Sequence, residues 1–245
     1  MTQDELKQHI YRNSISNYIF LVVRLGLGVV LFRLIYQSLT PEEFGFWGLL
    51  WSILGYGILL DFGFGFTAQK RVAELSAHQK WDELSKVLST IFYSYVIIAL
   101  ILVAFGLFAS PYLIHIFKIH PENTKAFTRA LTIFFCGMGI AFPMGVFPEM
   151  LKGQQRISLA NYTLLGGFLL SFTLVLLCIK YKWGLNMLLV ISLGCGMVAE
   201  LCCGLFALHR MPQVRIRPDL FSRNMVRDTM RFSLFAFGVQ VGGSR

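Results

Sequence analysis

The chain has 245 residues and a formal charge of +9, yet only 14% of its residues are charged while 56% are hydrophobic, and its mean hydropathy is +0.62. Soluble domains carry roughly 25% charged residues, and a chain of this length cannot hide so much apolar surface at a normal surface-to-volume ratio. A disordered tail, a coiled coil and an ordinary cytosolic enzyme are disfavoured together, and the composition is that of a membrane protein.

The polar, mixed-charge N-terminal residues lead into a long apolar stretch that holds two arginines and no small-residue cleavage site, so it reads as a retained first helix and not a signal peptide. Apolar stretches divided by charged loops then predict six full spans: Ile15–Tyr36, Phe44–Gly65, Leu88–Phe117, Phe127–Leu151, Ile157–Ile179 and Gly184–Leu208. Val87–Phe117 is 31 residues without Asp, Glu, Lys or Arg, and Ile157–Ile179 is another 23; about 20 helical residues cross a bilayer core. The third span is expected to end near Pro111, leaving Tyr112–Phe117 at the interface, and Pro143 and Pro148 are expected to kink the fourth. A seventh begins near Phe232, and Phe232–Ser244 is 13 uncharged residues, too few to cross. The predicted organisation is an all-α polytopic bundle, with a six-helix lobe at residues 1–208, a basic cytoplasmic interlobe loop at 209–231 and the start of a seventh helix at 232–245.

The loops alternate in charge. Those on the Arg12, Lys70, Lys152 and Arg210 side carry fourteen Lys and Arg, and those on the Glu42, Lys118 and Lys180 side carry four. The excess of positive charge marks the cytoplasmic face and places the N-terminus there. The pI of about 9.5 is thereby accounted for as a topology signal, without nucleic acid as a partner. Gln69–Val87 and Leu220–Met230 read as amphipathic surface helices, drawn to anionic membrane lipid by their basic residues.

Covalent chemistry finds no support. Cys136, Cys178, Cys195, Cys202 and Cys203 fall inside predicted spans with no metal-ligand spacing, and no G-x-S-x-G, Walker loop or H-E-x-x-H occurs. The short outer loops exclude a folded extracytoplasmic catalytic domain. No cofactor or metal is expected.

The informative residues are charges inside spans, each costing at least about 3 kcal/mol at mid-helix on insertion scales. Arg24 follows Ile15 by about 14 Å of helix, near the bilayer centre, and shares one face with Asn13, Asn17 and Gly28. That face must meet protein or water: Arg24 lines a hydrated cavity for an anionic substrate, or it sits in an internal salt bridge. Arg33 is nearer the outer end, able to snorkel or to join the cavity. Asp61, among Gly57, Gly63 and Gly65, suits helix packing and loop ordering better than ion coupling. Glu200 shares a small-residue face with Ser192, Gly196 and Gly204, as a buried partner or a proton site. Glu149, beside Lys152, reads as interfacial.

Arg33 to Glu74, RLIYQSLTPEEFGFWGLLWSILGYGILLDFGFGFTAQKRVAE, resembles the first-to-second-helix signature of the polysaccharide transporters of O-antigen flippase type, within the multidrug, oligosaccharidyl-lipid and polysaccharide exporter superfamily. The matching elements are the Arg33 helix end, Thr40-Pro41-Glu42-Glu43-Phe44-Gly45, Leu60-Asp61-Phe62-Gly63 and Lys70-Arg71-Val72-Ala73-Glu74. Lys152-Gly153-Gln154-Gln155-Arg156 before Asn161 resembles that family's fourth-to-fifth-helix loop. The resemblance implies two six-helix lobes about a central cavity, alternating access, and a cargo of glycan repeat on undecaprenyl diphosphate, such as a lipopolysaccharide O-antigen unit, carried across a bacterial inner membrane. It further implies intramembrane basic residues toward the diphosphate, with Arg24 suitably placed, and leaves coupling to a proton or sodium gradient open. Implied partners are the lipid-linked oligosaccharide, membrane lipids, a C-terminal lobe and other polysaccharide assembly proteins. The sequence reads as an N-terminal lobe, and these 245 residues alone are expected not to transport. Two rivals stand beside this: a multidrug or cation antiporter of the same superfamily, which would favour cavity carboxylates, and a noncatalytic membrane assembly protein with its charges paired internally.

Overall fold

The computed structural model describes residues 3–57, 61–116, 120 and 123–227; the expected start of a seventh span at Phe232 lies outside them. Among the described residues the helices α1 (Gln3–Ser38), α2 (Pro41–Gly57), α3 (Phe64–Ala77), α4 (Trp81–Ile116), α5 (Thr124–Met144), α6 (Val146–Gly153), α7 (Ile157–Lys180) and α8 (Gly184–Arg210) follow in order. A linker with one 3-10 turn at Pro218–Leu220 follows. The described residues contain no strand, and the all-α class is as the sequence predicts. Among the described residues, five helical stretches are long and apolar enough to cross a membrane: Tyr11–Ser38, Trp81–Ile116, Thr124–Gly153, Ile157–Lys180 and Gly184–Arg210. The chain is a multi-pass membrane protein.

The α1–α2 junction shows how the sequence sets its own boundaries. Thr40 caps α2: its Oγ1 accepts the Glu43 N–H at 3.3 Å while Glu43 Oε2 accepts the Thr40 N–H at 3.0 Å, a reciprocal capping box with Pro41 at the first helical position. Glu42 reaches across to the α4–α5 loop and accepts the Asn123 side-chain amide at 2.8 Å and the His120 N–H at 3.2 Å.

Four predicted boundaries are corrected. The expected Phe44–Gly65 span is helical through Gly57, residues 58–60 lie outside the description, and a turn follows at Asp61–Gly63. Phe62 and Gly63 have φ of 46° and 71°, a left-handed pair that no right-handed helix passes through, so α3 begins afresh at Phe64. The Gln69–Val87 surface segment divides between α3 and the first turns of α4. Its apolar members Val72, Leu75, Leu84 and Val87 are buried in the protein core. Third, α4 runs through Pro111 to Ile116. Proline removes the bond to the Leu107 carbonyl, and the Ser110 hydroxyl donates to that oxygen at 2.9 Å in its place. Fourth, the kink expected from Pro143 and Pro148 is a break at Gly145 between α5 and α6. Pro148 falls in the first turn of α6, where an amide hydrogen has no helical partner. Of the expected Leu220–Met230 helix, residues 223–227 are helical and the rest of its end lies outside the description.

The bundle is packed at both ends. At the basic end α3 lies against α6, and Phe64, Ala68, Val72, Leu84, Leu88, Val146, Met150, Leu151 and Cys203 form one core. Gly153 makes that approach possible, since a Cβ there would stand 2.6 Å from the Gln69 carbonyl oxygen. At the Glu42 end, Phe46, Leu50, Phe127, Leu131, Phe134 and Leu189 join α2, α5 and α8. Helices α4, α5, α7 and α8 link the two cores, while α1 packs chiefly on α7.

Candidate functional site

Helix α1 is held at two places, and the space between them is the site. Near its start Asn161 of α7 donates its amide to Asn17 Oδ1 at 2.5 Å and to Ser16 Oγ at 3.2 Å, and Asn13 Oδ1 accepts the Ser158 N–H at 3.2 Å. Near its end Ile35 enters a cluster with Val175, Cys178, Leu188 and Ile191 of α7 and α8. In between, the helix stands clear: Leu21, Val22, Leu25, Val29 and Val30 are exposed, and nothing approaches within 4 Å of where a Gly28 Cβ would be.

A cavity of about 530 Å³ fills the gap, walled by α1, α2, α6, α7 and α8. From α1 it receives Arg24 and Gly28; from α6 and its flank, Pro148, Glu149 and Lys152; from α8, Ser192, Gly196 and Glu200. The Arg24 guanidinium lies 5.6 Å from the Phe20 ring centroid, a cation–π contact, and no carboxylate stands within ion-pair distance of it among the described residues. Lys152, by contrast, pairs with Glu149 at 2.6 Å. Glu200 Oε2 is buried without a hydrogen-bond partner, as is Trp51 Nε1, and both residues line the cavity. Trp51 continues an aromatic file along α2 and the end of α1. Its ring centroid is 6.1 Å from Trp47, which stacks 5.7 Å from Phe44, and Phe44 meets Phe32 at 5.3 Å and Tyr36 at 5.0 Å.

A second hollow adjoins the first through Gly145, Glu149 and Glu200, and Asp61 opens onto it. Asp61 Oδ1 accepts the Gly65 N–H at 3.2 Å and the Tyr95 hydroxyl, which ties the start of α3 to α4. Gly65 sits where a Cβ would touch both carboxylates, 3.4 Å from Glu149 Cγ and 3.5 Å from Asp61 Oδ1.

Of the residues singled out in the sequence, Arg24 and Glu200 share the cavity, Asp61 lies in the adjoining hollow, and Asn17 joins α1 to α7 below it. Arg33 is exposed on α1 and lies in neither hollow. Glu149, which the sequence reading places at the interface beside Lys152, pairs with Lys152 at 2.6 Å and lines both hollows. The break at Gly145 re-aims α6 so that Glu149 turns inward, and the Gly-x-x-Pro-Glu order was the available signal. Trp47 and Trp51 were missed as well, because an aromatic on an apolar helix carries no periodic mark that separates a cavity wall from a core.

Among the described residues, one cation without a carboxylate partner, one ion pair, one lone carboxyl and a wall of aromatic faces can bind an amphiphilic anion.

No curated protein sequence matches the chain. Among solved structures, it is similar to a multidrug resistance MATE family transporter of the MOP superfamily in an outward-facing conformation, with TM-score 0.70 and 19% identity over 93% of this chain and 51% of that one. It is similar to a MOP superfamily transporter from Pyrococcus furiosus Vc1 (DSM3638), with TM-score 0.70 and 19% identity over 93% and 51%. A MATE protein in complex with MaD3S gives TM-score 0.72 and 20% identity over 93% and 52%. The fold is therefore that of one half of these bundles, and the chain spans about half the length of the structures it matches. Residues 10–244 match the model of the family described as "Polysaccharide biosynthesis protein", and the chain belongs to that family.

Proposed function

We propose that the chain forms one lobe of an exporter that moves undecaprenyl-diphosphate-linked oligosaccharide, an O-antigen or other polysaccharide repeat unit, across the bacterial inner membrane by alternating access. The N-terminus and the basic linker are cytoplasmic in this reading, and a second six-helix lobe faces the α1 side, so that the pathway lies between two repeats. The observation that carries it is Arg24: a guanidinium at mid-span, without a carboxylate partner among the described residues, in a cavity large enough for part of a ligand. Leaving a cation in hydrocarbon is costly, and a diphosphate entering beside it supplies the missing counter-charge through bidentate hydrogen bonds. Trp47 and Trp51 add flat apolar faces for sugar rings, while the lipid tail stays in the bilayer along the exposed side of α1.

A multidrug antiporter remains the second reading, favoured by Glu149 and Glu200 on the same cavity. Both readings meet one experiment. Arg24→Ala, Arg24→Lys and Glu200→Gln are introduced at the native locus, and surface glycan and drug resistance are measured beside membrane abundance. Glycan export should fall at least roughly ten-fold in Arg24→Ala, the worth of a lost charge-assisted hydrogen bond, recover in part in Arg24→Lys, which keeps the charge but not the fork, and persist in Glu200→Gln. Undiminished glycan in Arg24→Ala together with lost resistance in Glu200→Gln would select the antiporter.

A further inference from the structure

A third hollow lies at the basic end, remote from the Arg24 cavity, between α3, the first turns of α4 and the linker after α8. The linker is not draped loosely there. Ser85 Oγ accepts the Arg215 N–H at 3.1 Å, Ser89 Oγ accepts the Arg217 N–H at 3.0 Å and donates to the Arg215 carbonyl at 3.3 Å, and Thr90 Oγ1 accepts the Ser222 N–H at 3.2 Å. Three hydroxyls spaced along α4 thus fix the linker backbone over that helix and make Ser222, Asn224 and Met225 a built wall of the cleft.

The opposite wall and the floor have two chemistries. Lys70 and Arg71 of α3 and Lys86 of α4 stand at the rim as exposed cations, with Thr67, Ser222 and Asn224 adding neutral hydrogen-bonding groups. Leu75 and Val87, both buried, and the half-buried Met225 form an apolar floor. Among the described lining residues Glu83 is the one acid, and it is engaged by Lys80 at 3.4 Å, while Arg71 pairs with Glu74 at 3.1 Å. The depth of the cleft in the bilayer follows from α4. Its uncharged run starts at Val87, so Lys86 marks the edge of the hydrocarbon, where lipid phosphates lie and where each nearby cation strengthens attraction to an anionic leaflet.

We infer that this cleft is a specific site for an anionic glycerophospholipid, its phosphate between Lys70, Lys86 and the linker wall and the first methylenes of its acyl chain over Leu75, Val87 and Met225. A free phosphate would use the rim and have no need of the floor; the pairing of both at the hydrocarbon edge selects the lipid. Bound there, the lipid touches α3, α4 and the linker at once and holds the linker in place.

The test uses the protein in phosphatidylcholine nanodiscs with a trace of phosphatidylglycerol carrying a photoactivatable group near the ester, followed by peptide mapping of the adducts. Adducts should fall on the α3, α4 and linker walls, and the matched phosphatidylcholine probe should label at least roughly five-fold less, the effect of a single interfacial cation. Lys70→Gln with Lys86→Gln should reduce phosphatidylglycerol labelling by a similar factor or more, Lys70→Arg with Lys86→Arg should retain it, and millimolar inorganic phosphate should not compete. Equal labelling by the two probes overturns the proposal even if the glutamine variant does not fold. So does undiminished labelling of a folded glutamine variant, or competition by inorganic phosphate, which would make the cleft a free-anion site.

Discussion

Helices α1 and α8 both carry a charge inside the membrane, and they hold it differently. In the most apolar part of α8, 44% of residues are buried within the chain; in that of α1 the share is 6%. Glu200 therefore stands on a helix fixed from several sides, and Arg24 on one held most firmly near its ends. A charge on the packed helix can serve either structure or function. On the sparse helix the described residues offer the charge no carboxylate, and the chain leaves space beside it.

Substitutions of glycine sharpen that contrast most. Gly153→Val drives a branched side chain into the Gln69 carbonyl and Val72, a backbone contact that cannot yield, so overpacking should cost about 1–3 kcal/mol or more and lower the yield of folded protein in detergent. Gly28→Val meets nothing within 4 Å. Its melting temperature should stay near that of the parent while cavity function drops. A Gly28→Val protein that melted like Gly153→Val would mean that α1 is packed as tightly as α6 is against α3.

Next in size is the α1–α7 clamp. Asn161→Leu removes the donor shared by the exposed Asn17 and the buried Ser16, leaving the Ser16 oxygen without its α7 donor at a cost of about 1–3 kcal/mol. Protease nicking before Asn13 and thiol labelling of Gly28→Cys should both speed up in this background. Unchanged rates would show that the Ile35 cluster alone holds α1.

The smallest effect belongs to the capping box. Thr40→Ala should cost about 1 kcal/mol, read as a small drop in melting temperature, with the cavity unaffected.

Much of this was legible in the sequence because hydrocarbon admits few solutions. Uncharged runs located the long helices, and the small-residue face of α8 placed Glu200 against protein. Arg24 was recognisable because a mid-span guanidinium has no lipid-facing alternative. What escaped had local causes that composition does not encode. The turn at Phe62 and Gly63 depends on backbone conformation, the continuation of α4 through Pro111 on one serine hydroxyl, and the inward turn of Glu149 on the direction α6 takes after Gly145. The Ser85, Ser89 and Thr90 ladder carries no sequence mark that separates hydroxyls holding the linker from ordinary helix polarity.

Binding of undecaprenyl diphosphate to the purified protein, followed by the fluorescence of Trp47 and Trp51 in the same cavity, tests the central claim most directly. Parallel titrations compare the parent with Arg24→Ala and with Lys125→Gln, which alters an exposed lysine at the start of α5 outside the cavity. They should give a dissociation constant raised roughly 10- to 100-fold by Arg24→Ala, the equivalent of one lost charge-assisted interaction, and unchanged by Lys125→Gln. Equal affinity of parent and Arg24→Ala would contradict the account and return Arg24 to a structural role.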